Sequence, residues 1–156
     1  ENIAYKLLNL EYRLSNPVDV LCMNISGLNS LITSTWTNNL DLRNIEILEW
    51  TGVGTVKYKL DSVIVLDISG NHFCSLITCN GKEMAFDGES YSRLKEMKWK
   101  QLIVNREKWN QSWCFEYSKE SWLNANNNNN NIQSPKNVKM KWNFAECYVM
   151  LFYYKV

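Results

Sequence analysis

The sequence predicts a β-rich α+β domain, with a central antiparallel sheet and few helices, on three observations. Apolar, β-branched or aromatic runs of strand length recur at residues 18–25, 58–68 and 147–156. Asn80-Gly81, the strongest two-residue hairpin signal, joins the β-forming run 73–79 to a returning run at 82–86. Only residues 4–14 and 90–105 leave room for helix. With 156 residues, 46% of them hydrophobic and 13% aromatic, the chain can bury one sizeable core, as a single globular domain or one half of a larger one does.

Residues 4–14, AYKLLNLEYRL, space Leu7, Leu8, Leu10 and Leu14 in a way that suits a short helix or an extended piece equally. Asn16-Pro17 ends that segment, because the residue before a proline is pushed out of the helical region. Residues 18–25, VDVLCMNI, read as a buried strand, and 26–39 as a polar turn region around Leu31-Ile32. Residues 40–50, LDLRNIEILEW, alternate apolar and polar side chains and are expected to be extended, with a flexible turn at 51–54. Residues 58–68, YKLDSVIVLDI, hold the longest β-branched run, which places a central strand directly before the hairpin. In 90–105, Leu94, Met97, Leu102 and Ile103 stand among acids and bases and allow one or two turns of helix. Residues 124–137 contain six consecutive asparagines, 126–131, with Pro135 beyond, and form a low-complexity insertion that cannot pack a core; a mobile surface loop is expected. Residues 147–156, CYVMLFYYKV, are so apolar that they must lie inside the sheet rather than at its edge.

The 17 basic and 16 acidic side chains are spread along the chain, so no electrostatic ground exists for a nucleic-acid or membrane-surface partner; proteins or small molecules are expected instead. No apolar run approaches the roughly 20 residues of a membrane span. The start, ENIAYKLLNLEYRL, is neither a signal peptide nor an initiator methionine, which predicts a fragment or a cleaved product. Five cysteines, Cys22, Cys74, Cys79, Cys114 and Cys147, are odd in number and form no C-x-x-C pair. That argues against a disulfide framework or a zinc site and for free thiols in a reducing compartment, cytoplasmic or nuclear. No cofactor and no metal are expected. Trp99, Trp109, Trp113, Trp122 and Trp142 crowd the C-terminal third, but their spacing marks neither a cage nor a stacking platform, and they are read as core and loop anchors.

The chemistry gathers at 68–88, which holds the only histidine. A two-residue loop fixes the register: Cys79 faces Lys82, so Cys74 faces Asp87 and Phe73 faces Gly88. Alternation puts His72 on the face of Cys74 and hence of Asp87, as diagonal neighbours roughly 7–8 Å apart at the backbone, within reach of each other's side chains. A carboxylate accepting from one ring N–H fixes the tautomer and leaves the other nitrogen to take a proton from a nucleophile. The same two residues would also suit a surface polar pair beside a turn.

Several pieces in order resemble the C-terminal half of the ubiquitin-specific protease family. They are Tyr58-Lys59-Leu60 with Val63-Ile64-Val65, then Gly70-Asn71-His72-Phe73, then Phe86-Asp87, and finally 148–155; upstream, 18–29 and Leu40-Asp41-Leu42 fall where that family has corresponding strands, so the likeness spans nearly all of 1–156. It implies a papain-like cysteine protease fold, with His72 as general base and Asp87 as its orienter. It also implies an isopeptidase that cuts after the C-terminal glycine of ubiquitin or a ubiquitin-like modifier. The pattern departs from the family at Asn71 and Phe73, where Gly and Tyr are usual, at Gly88 in place of a second Asp, and at Glu83 in place of a Trp. The SUMO-directed branch of the family also carries Asn-His-Phe, so SUMO stands beside ubiquitin as the expected partner.

The family's nucleophilic cysteine lies far upstream of the histidine, in a Gly-, Asn- and Cys-rich box that nothing here matches. Cys22 sits in an apolar strand pattern, and Cys74 and Cys79 belong to the hairpin itself. The thiol is therefore expected upstream of this chain. One alternative is a silent scaffold that keeps the fold for binding a ubiquitin-like protein. A second is the order of the Ulp-type SUMO proteases, His then Asp then Gln and Cys, which Gln111 and Cys114 would complete. A β-rich structural domain with an incidental His and Asp is the reading without chemistry.

Overall fold

The structure is a computed structural model and describes residues 19–31, 41–48, 54–68, 71–89, 94–114 and 141–156. The expected helix or extended piece at 4–14, the turn at 51–53, the Asn-rich insertion at 124–137, Trp122 and most of the turn region at 32–39 lie outside the described residues.

Among the described residues the strands are β1 (Val20–Ser26), β2 (Asn44–Leu48), β3 (Thr55–Leu66), β4 (Phe73–Cys79), β5 (Lys82–Phe86), β6 (Leu94–Glu96), β7 (Trp113–Cys114), β8 (Lys141–Trp142) and β9 (Tyr148–Lys155), with one short α-helix, α1 (Trp99–Val104). Seven of them form one antiparallel sheet in the order β1-β9-β3-β4-β5-β6, and β2 pairs with the first half of β3. β7 and β8 make a separate two-stranded ribbon. The protein is thus β-rich with few helices, as the strand-length runs require.

The terminal run does lie inside the sheet: β9 is hydrogen-bonded to β1 on one side and to β3 on the other. Its alternate residues Val149, Leu151 and Tyr153 are fully buried. They meet Ile25 and Met23 of β1 and Val65, Val63 and Leu60 of β3, so apolar rows cross the sheet from strand to strand. β3 begins at Thr55, three residues before the run read from sequence, because Val56 and Tyr58 pair with Ile47 and Ile45 and are buried with them. A register shift between Leu60 and Ser62 gives β3 one extra residue against β9. The bulge changes the parity of burial, from Val56, Tyr58 and Leu60 to Val63 and Val65, and so keeps both halves of a 12-residue strand facing one core.

That core takes in Leu28 and Leu31 from a 3-10 turn, Trp99 and Ile103 of α1, and Trp109, Trp142 and Phe144. The tryptophans that were expected to anchor the core do so at 99, 109 and 142. Trp99 donates its indole N–H to the Ile77 carbonyl at 3.1 Å, and Trp109 donates to the Ile103 carbonyl at 2.7 Å, which joins α1 to β4 and to the turn behind it. Glu83 also has an evident purpose. Its carboxylate accepts the Lys100 N–H at 2.9 Å, a remote cap for a helix whose own N-cap residue, Lys98, makes no side-chain bond. Among the described residues, no helix is long and apolar enough to cross a membrane.

Candidate functional site

Asn80 and Gly81 have φ of 49° and 76°, both in the left-handed region, the signature of a type I′ turn whose twist suits the strands it joins. The ladder then runs from Cys79 opposite Lys82 to Ser75 opposite Phe86, so the next step puts Cys74 opposite Asp87, as the count from the turn requires. Leu76 and Ala85, two pairs nearer the turn, are buried in the core; Cys74 and Asp87 continue the same face and are each 1% exposed. Asp87 is therefore a carboxylate at the rim of the apolar core. Such a group is tolerable only where hydrogen bonds replace water.

His72 supplies one of them. Its Nε2 lies 2.7 Å from Asp87 Oδ1, with the imidazole 22% exposed and the carboxylate 0%. The same oxygen accepts the Glu89 N–H at 3.0 Å. A carboxylate can only accept, so in the neutral ring the tautomer that fits this contact carries its proton on Nε2 and its lone pair on Nδ1. Nδ1 is turned toward Glu89, an exposed side chain whose Oε2 stands 3.8 Å away. The Phe73 ring flanks the imidazole at 6.2 Å between centroids and 27° between planes. A ring held on one nitrogen by a buried acid, with an exposed carboxylate near the other, can take up and return a proton.

Two further groups shape this corner and have no counterpart in the sequence reading. Asp67, just past β3, donates its N–H to the His72 carbonyl at 2.7 Å, and its Oδ1 accepts the N–H of Asn71 at 3.0 Å and of His72 at 3.4 Å. An aspartate opening a polar turn is the signal for such an Asx-type arrangement. Glu89 is the other, two residues beyond Asp87 and a second carboxylate on the ring.

The cysteines divide by environment. Cys22 and Cys79 are exposed, while Cys74 and Cys147 are buried. Burial pushes the Cys74 thiol far up, and the neighbouring Asp87 carboxylate adds to this, so it stays a protonated packing group although it shares a face with His72. In the native fold a maleimide is expected to label Cys22 and Cys79 and leave Cys74 untouched; peptide mapping after brief exposure checks this. Rapid labelling of Cys74 would contradict the buried environment. Cys114 lies in β7, paired with Lys141 of β8, whose carbonyl accepts the Ile68 N–H at 2.8 Å. Its backbone is thus linked to the end of β3 that also meets His72, and its side chain lies outside the described ones. Among the described residues, no group of three or more His, Cys, Asp or Glu side chains could hold a metal ion.

No protein-family model, no curated protein and no solved structure matches this chain.

Proposed function

We propose that this chain is the His–Asp half of a papain-like thiol isopeptidase, one that cuts after the C-terminal glycine of ubiquitin or of a ubiquitin-like modifier such as SUMO. The observation that carries the proposal is the 2.7 Å contact between His72 Nε2 and a fully buried Asp87 carboxylate, with Nδ1 turned toward the exposed Glu89 side chain. A surface polar pair would have no reason to bury its acid. An orienter of a catalytic ring does, because in a water-poor site the carboxylate holds one tautomer and stabilises the imidazolium that forms.

In this mechanism His72 Nδ1 removes the proton of a cysteine thiol, and the thiolate attacks the carbonyl carbon of the scissile bond. The resulting imidazolium gives that proton to the departing amine as the C–N bond breaks, leaving a thioester on the cysteine. A water molecule, deprotonated by the same Nδ1, then releases the modifier with a free C-terminal carboxylate and restores the thiol. The nucleophile is assigned to sequence upstream of residue 1, with Cys114 as the in-chain alternative.

The test is intact-mass analysis of the full-length protein, and of this chain by itself, after exposure to ubiquitin and SUMO carrying a thiol-reactive C-terminus. An adduct on an upstream cysteine that disappears in His72→Ala is the expected result and names the modifier. An adduct on Cys114 of the 156-residue chain would move the nucleophile to that residue. No adduct from a folded full-length protein would replace the enzyme with a silent binding domain.

A further inference from the structure

We propose that Asp67 is a positioning residue for His72, one that sets the imidazole against Asp87 by holding the His72 backbone on both of its polar groups; the inference rests on His72 acting as the base. The ladders do not reach His72. β4 begins at Phe73, its last pair with β5 is Ser75 with Phe86, and its last pair with β3 is Leu66 with Phe73. What continues beyond them is Asp67. Its N–H donates to the His72 carbonyl at 2.7 Å, and its Oδ1 accepts the amides of Asn71 at 3.0 Å and His72 at 3.4 Å.

Asp87 has a fixed place, since it is buried and also accepts the Glu89 N–H. The ring contact of 2.7 Å therefore depends on where the Cα–Cβ bond of His72 points, and that is set by the backbone Asp67 grips. Misplacement by about 1 Å in such an arrangement is enough to cost roughly a hundredfold in rate. An aspartate that merely closed a turn would stabilise the fold without governing the tautomer of a neighbouring ring. The two roles differ in what the ring does once the carboxylate is gone.

His72 is the only histidine in the 156 residues, so its ring nitrogens can be read without assignment. In the 15N-labelled chain at a pH where the ring is neutral, the wild type is expected to show a single Nε2–H tautomer, with Nδ1 resonating as an unprotonated nitrogen. Asp67→Asn keeps an oxygen acceptor at the same reach and should preserve those shifts. Asp67→Ala removes it, and the two nitrogens should move toward averaged values. In the full-length enzyme the same Ala variant should lower kcat about tenfold to a hundredfold with little change in KM, and Asn should restore it. Asp67→Ser, which draws the oxygen back by one atom, serves as the second variant, with the loss expected for Ala. Unchanged ring shifts in whichever of Ala and Ser folds would overturn the positioning role. If the shifts respond as expected but no probe adduct forms on the full-length protein, the positioning role stands and the isopeptidase proposal falls.

Discussion

On the proposed mechanism, His72→Ala is expected to lower turnover of a ubiquitin or SUMO conjugate by about a thousandfold or more, because it removes the base assigned to take the thiol proton and return it to the leaving amine. The domain should remain folded. The apolar rows from β1 to β5 end at Cys74 and Asp87, and His72 lies beyond them. A price in stability is nonetheless expected, since Asp87 would keep the Glu89 N–H but lose the ring, and leaving a buried acceptor short of a partner costs about 1–3 kcal/mol. Asp87→Asn is the more discriminating companion. The amide fits the same space, but it can present its NH2 to the ring, in which case Nε2 becomes the acceptor and Nδ1 takes the proton. The nitrogen facing the nucleophile would then be closed, and a loss approaching ten-thousandfold is expected from the wrong tautomer alone. Steady-state rates for the two variants, with melting curves beside them, check both statements. A His72→Ala protein as active as the wild type would remove this ring from the mechanism.

Gly27→Ala is expected to destabilise the fold by roughly 3 kcal/mol or more, the sum of a strained backbone and an unrelieved contact. Gly27 follows β1 with φ of +79°, and a Cβ there would press on the Ala145 carbonyl oxygen and stand 2.9 Å from Glu146 Cα, both backbone atoms. The approach is close because Leu28 and Asn29 donate their amides to the Phe144 and Ala145 carbonyls, at 2.7 and 3.1 Å, and so dock the turn after β1 onto the turn before β9. Neither side can yield without breaking those bonds. Gly81→Ala offers the comparison. Its φ is +76° but nothing lies within 4 Å of the added carbon, so only the conformational cost remains, about 1 kcal/mol. Thermal melts of the two variants should differ by several degrees, the Gly27 variant melting lower. Equal melting points would mean that the turns at 27 and 145 do not meet as closely as described.

The hairpin and its acid–base corner were legible because their geometry is local. Asn80-Gly81 dictates the turn, the turn dictates the register, and the register places Asp87 on the face of His72 with only counting in between. The burial of β9 was legible from composition, but not its seat between β1 and β3, since which distant strands pair is not written in any window of residues. The bulge after Leu60 was hidden for a related reason: an unbroken β-branched run gives no sign that one residue is extra until its partner strand is known. Asp67 was hidden within the run 58–68 read as strand, which the structure ends at Leu66. Its hold on His72 emerges only when both ends of the turn are in place.

The seat of β9 also orders the events by which the molecule is made. Among the described residues β1 pairs with β9 alone, and β3 pairs with β9 along residues 58–65, so both early segments wait for the segment at 148–155 before these pairings can close. A growing chain can form the β3–β4–β5 meander as soon as residue 86 has emerged, since those pairings are short in range. β1 and the β9-facing side of β3 stay open until residues 148–155 have emerged, as adhesive edges that a product truncated before them would expose. The His72–Asp87 corner belongs to the part that can fold early, and the cohesion of the sheet to a strand that arrives some sixty residues later.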